Sequence, residues 1–456
     1  MMYTISAQSY VVEVYVAVEN KITTTYMNYV PTTYTGNKRQ LAQDNISKDV
    51  QYALAEVNKL LSTLSLYGVN VDLRLRKLDF LTTNVLTTYM AGTTNTVNSA
   101  SGKITFQNWL LQTSAFTTYS YDFALLLTGA DLYGTGGSTE SSNTNIGSVC
   151  NGVSGVSIAE FQGTYRDVVS LAHAIGFMLG ANNDDATSTY IMSPYNYATQ
   201  PKRWSYSGIT AAYMKLFFSQ LSPNCLLTTN SQSTRLTVSY GTYTGDELNP
   251  DIVCQRALGT KQTSFCRTLS PLNGDAVCSQ IYCRVPGTLT CTAIFPSDGT
   301  PCNRQKRCNS GTCQPDSTAA TQNLDPNCVW GDQTTLELPS VPYIGSCPGF
   351  VALYKPINCY VTSLQQQCCG TCKQYYTGRV GCEYGDKSLD CTKYTKASVC
   401  PYYGNTLCCG YCYGYMGKRS ILDGIGQPRV NITITPPVNP RGVIGQEHKD
   451  RISGPH

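Results

Sequence analysis

Histidine is almost missing from this chain, with 3 among 456 residues, and two of these, His448 and His456, stand near its end. His173 is the one imidazole left in the body of the sequence. That scarcity excludes most Ser/His and Cys/His nucleophile pairs, which need a base of their own. Charged residues are also few, at 14%, and the formal net charge is only +4. So small and evenly spread a charge argues against nucleic-acid binding, which needs a basic stripe. Arg74, Arg76 and Lys77 read as a solvated face near a strand end. A run of about 18 apolar residues is absent, so no membrane span is expected. The phosphate-loop pattern G-x-x-x-x-G-K-[ST] is absent too. The start, Met1-Met2-Tyr3-Thr4, lacks the basic region of a signal peptide, and the chain reads as a fragment or mature form without its signal and any propeptide.

Cysteine is what the chain has instead. Of 22 cysteines only Cys150 and Cys225 precede residue 236, and the other 20 lie between Cys254 and Cys412. Such density marks a disulfide scaffold and an oxidising, extracellular compartment. The sequons Asn45-Ile46-Ser47 and Asn431-Ile432-Thr433 agree, making Asn45 and Asn431 glycosylation candidates. The adjacent pairs Cys368-Cys369 and Cys408-Cys409 could belong to a zinc cluster, but zinc prefers matched Cys-x2-Cys pairs, and the even count favours disulfides.

Hydrophobic patterning divides the chain. Tyr10–Val18, Val69–Leu78 and Asp122–Leu127 read as strands. Apolar spacing predicts helices over Ile46–Leu64 (capped by Asn45 or Ser47), Ile104–Thr113, Tyr165–Leu179 and Gly208–Leu221 (starting near Ser207). Strands alternating with helices imply a mixed, mostly parallel α/β sheet with flanking helices over residues 1–235. Beyond Cys225 helical periodicity fades, and small loop-dominated, disulfide-rich modules are expected. Cys359-x8-Cys368-Cys369-Gly370-Thr371-Cys372 is echoed by Cys400-x7-Cys408-Cys409-Gly410-Tyr411-Cys412. Adding Cys328, Cys347, Cys382 and Cys391 gives two six-cysteine units, over residues 323–375 and 376–415. Residues 416–456 contain five prolines and no cysteine, and they read as an unpacked tail.

The stretch Ala172-His173-Ala174-Ile175-Gly176-Phe177-Met178-Leu179-Gly180-Ala181-Asn182-Asn183-Asp184 carries the functional signal. It resembles the zinc helix of the reprolysins, adamalysin-like metzincin proteases with the pattern H-E-x-x-H-x-x-G-x-x-H-D. In that pattern two histidines four apart share a helix face and hold zinc, the glutamate between them is the general base, and a glycine turn brings in a third histidine. Here His173, Gly180 and Asp184 are retained. The base has become Ala174, the second ligand Phe177 and the third ligand Asn183. Ile191-Met192-Ser193-Pro194 resembles the family's methionine turn, and Tyr121–Gly129 its edge-strand segment. The resemblance also implies a Cys150–Cys225 bridge and leaves open a calcium site from Glu13, Asp122 and the Cys225 carbonyl, with Thr228 where Asn or Asp is usual.

Residues 236–322 resemble the disintegrin-like module of the ADAMTS type, through Cys254, Cys266, Cys278, Cys283, Cys291 and the run Asp298-Gly299-Thr300-Pro301-Cys302-x5-Cys308-x4-Cys313. No Arg-Gly-Asp is present. Val329-Trp330-Gly331-Asp332 reads as a remnant of the W-x-x-W repeat that follows in relatives. The closing Cys-Cys-x2-Cys units resemble PLAC-type modules. Together these resemblances imply a secreted pseudoprotease, without zinc, that binds an extracellular protein or matrix component. Two alternatives stand beside it: an active zinc endopeptidase with an altered metal set (His173, Asn183, Asp184), and a structural matrix or adhesive component rich in tyrosine.

Overall fold

The structure is a computed structural model. It describes residues 8–415 except 31–32, 87–94, 114–118, 195–201, 231, 238–249, 262, 267–274, 289, 304, 318–327, 329–330 and 334–345.

Strand β1 (Ser9–Val18) alternates large and small residues, yet Val12 to Val18 are all buried, so it runs through the middle of a sheet covered on both faces. Parallel to it lie β2 (Asn70–Phe80) on one side and β4 (Phe123–Thr128) on the other. Strand β8 (Val156–Glu160) continues the parallel run beside β4. Two antiparallel strands close the edges, β7 (Ser142–Thr144) against β8 and β9 (Thr234–Arg235) against β2. The order is β7-β8-β4-β1-β2-β9, a mixed, mostly parallel sheet.

Strand alternation sorts the core into two layers. Val12, Val14, Val16, Phe123, Leu125 and Leu127 face helices α1 (Asn20–Tyr29), α2 (Lys38–Ser62), α4 (Tyr165–Met178) and α5 (Gly208–Gln220). Tyr15, Ala17, Ala124 and Leu126 face α3 (Ser99–Gln112). This is the mixed α/β arrangement, with helices on both faces of the sheet, that the patterning predicts. The segment Tyr121–Gly129, expected at the sheet edge, is central instead: every residue of β4 is buried, and only a doubly covered position suits so apolar a run. Short β7 holds the edge.

Helix α2 starts well before the expected Ile46. Asn37 caps it, its side chain accepting from the amides of Arg39 and Gln40 at 3.1 Å each. Asn45 and Ser47 are therefore interior positions and not caps. The buried stripe Ala42, Ile46, Val50, Ala53, Val57, Leu61 explains the length, because its first turn is masked in sequence by polar neighbours. Likewise α3 begins at Ser99, under an Asn98 cap, and not at Ile104.

In the cysteine-rich half all 20 remaining cysteines are paired, and no described cysteine is free. Cys254–Cys283, Cys266–Cys291, Cys278–Cys308 and Cys302–Cys313 hold small antiparallel sheets. The two six-cysteine units repeat one connectivity. Cys328–Cys369, Cys347–Cys368 and Cys359–Cys372 correspond in order to Cys382–Cys409, Cys391–Cys408 and Cys400–Cys412. These units are less loop-dominated than expected, because Cys347–Tyr354 and Lys396–Tyr403 are helices of 8 residues, too short to show a period.

A structural aspartate also recurs. Asp332 accepts from Thr371 N at 2.9 Å, and Asp386 accepts from Gly410 N at 2.7 Å and Tyr411 N at 2.8 Å. Gly331-Asp332 thus matches Gly385-Asp386 as the opening of a unit, which explains this dipeptide better than a W-x-x-W remnant does. Residues 416–456, with Asn431, His448 and His456, lie outside the described residues.

Candidate functional site

Helix α4 is started by a reciprocal cap. Asp167 Oδ2 accepts from Thr164 N at 2.9 Å and from Gln162 N at 2.8 Å, and Thr164 caps the third helical amide in return. The helix ends at Gly180, whose φ of +87° favours glycine and whose added Cβ would stand 2.4 Å from Phe217 Cγ. At Gly176 a Cβ would come within 2.4 Å of Met192 Sδ, so the methionine packs directly beneath the helix. Tyr206 locks the same layer by donating to the Ala172 carbonyl at 2.7 Å.

The degenerate motif falls together in space. His173 Nε2 lies 3.2 Å from Asn183 Oδ1, and the Phe177 ring meets the imidazole edge-on, 4.7 Å between centroids at 80°. Ala174 is 1% exposed and faces the core. Burial pushes the His173 pKa down, against the Asn183 hydrogen bond, the Asp184 charge and the Ser193 backbone, which favour the charged ring.

Asp184 serves the scaffold. Its carboxylate accepts from Ser207 Oγ at 2.7 Å, Thr210 Oγ1 at 3.2 Å and Ser188 Oγ at 3.2 Å, and its amide donates to the Met192 carbonyl at 2.7 Å. Ser207 is also the N-cap of α5. The retained aspartate therefore ties the methionine turn to the next helix, and its oxygens are spoken for by hydroxyls rather than turned to join His173 and Asn183 on a metal. Among the described residues, the single group of three or more His, Cys, Asp or Glu side chains close enough to share a metal is Cys278, Cys302 and Cys308, all in disulfides.

A cleft of 590 Å³ runs between α4 and the edge of the sheet, lined by residues of β7 with Arg166, Ser170, His173, Phe177 and Asn183. Arg166 and Ser170 escaped the motif reading. The signal that could have found them is helical, since 166, 170, 173 and 177 follow one stripe of α4.

A second polar cluster joins the strands beneath Cys150–Cys225, which are bonded with Cα atoms 5.5 Å apart. Glu13 is 1% exposed and accepts from Asn230 N at 2.9 Å and Asn230 Nδ2 at 2.6 Å. The Asp122 carboxylate accepts from Glu13 N at 2.8 Å. Burial, with a contribution from the Glu13 charge, pushes the Asp122 pKa up to about 7. Thr228 folds its hydroxyl back onto the Cys225 carbonyl at 2.8 Å, and Asn230, two residues further on, reaches the Glu13 carboxylate in its place.

The DGTPC run also has a structural task. Asp298 is buried, pairs with Lys59 Nζ of α2 at 2.7 Å, and its carbonyl accepts from Tyr52 OH at 2.7 Å. This joins the first part of the cysteine-rich half to the α/β core.

No family model matches the chain. Among curated proteins it is 26% identical over 208 residues to "A disintegrin and metalloproteinase with thrombospondin motifs 4" of Bos taurus, covering 42% of this chain and 24% of that protein. The human protein of the same name gives the same figures. A Bombyx mori protein, "A disintegrin and metalloproteinase with thrombospondin motifs like", is 25% identical over 178 residues, 35% of this chain and 24% of that one. The match thus spans about a quarter of these relatives. Among solved structures, metalloproteinase-II from Bacteroides fragilis has a TM-score of 0.32 at 16% identity, covering 47% of this chain and 55% of that one. Archaemetzincin from Methanopyrus kandleri gives 0.28 at 11%, covering 46% and 96%.

The chain has a mixed α/β domain followed by a cysteine-rich region. Over 208 residues it is similar in sequence to the ADAMTS metalloproteinases, which relates it to metalloproteases. No described helix is long and apolar enough to cross a membrane.

Proposed function

We propose that this is a secreted pseudoprotease, which binds an extracellular protein or matrix component in the cleft beside α4 without cutting it. The observation that carries this reading is the donor set around His173. A phenyl ring and a carboxamide occupy the places of two ligands, a methyl group the place of the base, and Asp184 is committed to hydroxyls. These residues do not fit a catalytic zinc ion, which needs three good donors and a base within reach. The cleft persists beside the edge strand β7, where an extended segment could pair. Secretion is supported by the disulfide framework, and glycosylation is proposed at Asn45, on α2, and at Asn431.

The cluster of Glu13, Asp122, Asn230 and the Cys225 carbonyl fits calcium better than zinc is fitted at His173. It offers hard oxygen donors, and among the described residues no cationic side chain pairs with either carboxylate. A cation there is proposed as structural.

The test is zinc analysis of the purified chain beside a broad peptide-cleavage assay. The expected result is no stoichiometric zinc and no chelator-sensitive cleavage, and finding both would overturn the proposal. The triple variant Ala174→Glu, Phe177→His, Asn183→His should gain zinc if the helix register is right. A second reading, a matrix component, draws on the exposure of Tyr375, Tyr376 and Tyr402, at 41%, 57% and 49%. Dityrosine in native material would favour that second reading.

A further inference from the structure

Two polar side chains on the cleft stripe of α4, Arg166 and Ser170, are used by nothing described so far, and the Asn183 carboxamide stands beside them. Ser170 is 2% exposed, lines the cleft, and its Oγ has no hydrogen-bond partner. Leaving a buried hydroxyl unpaired is costly, so an acceptor arriving from outside is favoured there. One turn toward the helix start, exposed Arg166 also lines the cleft, and no hydrogen bond or ion pair links it to any described residue.

Its charge does act on Glu160 and Asp167. Both carboxylates, however, already accept from backbone amides: Glu160 from Leu132 N at 2.6 Å, and Asp167 from Gln162 N and Thr164 N. One turn in the other direction stands His173 with Asn183. With its Oδ1 toward the ring, the Asn183 carboxamide keeps its N–H donors for another acceptor. The cleft's own carboxylate, Glu140, is held by the Ser99 hydroxyl and by Asn143 Nδ2 at 3.4 Å.

We infer that this stripe is a receptor for a carboxylate, the acidic side chain of an extended peptide partner, gripped by the Arg166 guanidinium, the Ser170 hydroxyl and the Asn183 carboxamide. A guanidinium with two neutral donors matches the several acceptor positions of a carboxylate, and charge-assisted bonds of this type are the strong ones. Phe177 and Pro194 line the same cleft and give methylene groups an apolar wall, which suits Asp or Glu better than a free inorganic anion. A neutral amide in that place would offer the Arg166 guanidinium no charge-assisted bond. The inference rests on the peptide-binding reading above and names the chemistry of the partner.

The experiment uses the full chain and follows the ring signal of His173 by NMR, assigned in a His448→Gln, His456→Gln background. The probes are acetate and two end-blocked, alanine-rich peptides that differ only in a central Glu or Gln. We expect the Glu peptide to bind about 10–100-fold more tightly than the Gln peptide. Arg166→Gln should erase that preference while sparing Gln-peptide binding, and Ser170→Ala should weaken the Glu peptide about fivefold. Equal binding of both peptides, or a preference that survives Arg166→Gln, overturns the carboxylate receptor and leaves peptide binding standing. Acetate shifts without any peptide binding would overturn the peptide reading and keep the anion site. Silence from all three probes overturns both.

Discussion

Around β1 and β4 the core is aliphatic on both faces of the sheet and carries one bridge, Cys150–Cys225. Between Cys254 and Cys412 the clusters are built largely from cystine, as in the set Cys391, Val399, Cys400, Cys408, Cys412. The difference teaches how length decides the means of folding. A segment long enough to wrap helices over a sheet can rely on apolar burial. A unit of a few dozen residues cannot, and crosslinks restrict its unfolded state instead.

Reduction should break that comparison most sharply. The loops closed in the two six-cysteine units range from 12 to 41 residues, and each bridge should contribute about 2–4 kcal/mol. Under native conditions a reductant should therefore release amide protection across residues 347–412 while the β1–β4 sheet keeps it, as hydrogen exchange would read. Loss of protection in both regions together would show that the sheet depends on the cysteine-rich half.

A pair of glycine substitutions sharpens the contrast in packing. Gly180 has φ +87° and a Cβ position 2.4 Å from Phe217, whereas Gly378 has φ +72° and nothing within 4 Å. Gly180→Ala should cost about 3 kcal/mol through strain plus overpacking, and Gly378→Ala about 1 kcal/mol through strain alone. Thermal unfolding would rank them, and equal shifts would contradict the packing at the helix end.

The smallest effect concerns Asp122. Its pKa is raised, to about 7, when folded. A raised acid pKa means the native state prefers the proton, so without a cation stability falls as pH climbs from about 4 to about 7 and stays low above that. At the proposed site calcium would replace that proton as the counter-charge. The rise in Tm on adding calcium should thus be larger near about pH 8 than near about pH 5. A calcium effect absent at both, or independent of pH, would remove the proposed site, and Glu13→Gln should abolish it.

Much of the front half was legible because its signals are long and periodic. The apolar run of β4 and the start of α5 near Ser207 stand in the sequence, and α4 and α5 end within a residue of expectation. The early turns of α2 were not legible, since Gln40–Asp44 hides their apolar stripe. The centre and edge of the sheet were exchanged for a similar reason: DFALLL marks a strand, but its neighbours are set by crossovers. Strand β8, short and flanked by glycine, gave no period to read. At the candidate site, the motif brought out His173, Phe177 and Asn183, while Asn230 was invisible because it meets Glu13 across 217 residues of chain.

Composition and motif by themselves determined the chemical inventory: a lone imidazole in the body, an alanine where a base would stand, an even set of thiols, and a sheet-and-helix front. Tertiary structure alone decided how the 20 cysteines beyond Cys225 pair, that Asp298 grips Lys59, and that the Ser170 hydroxyl opens on a cleft beside Arg166. Those facts are distances between segments far apart in the chain, and local residue order does not encode such distances until the core has packed.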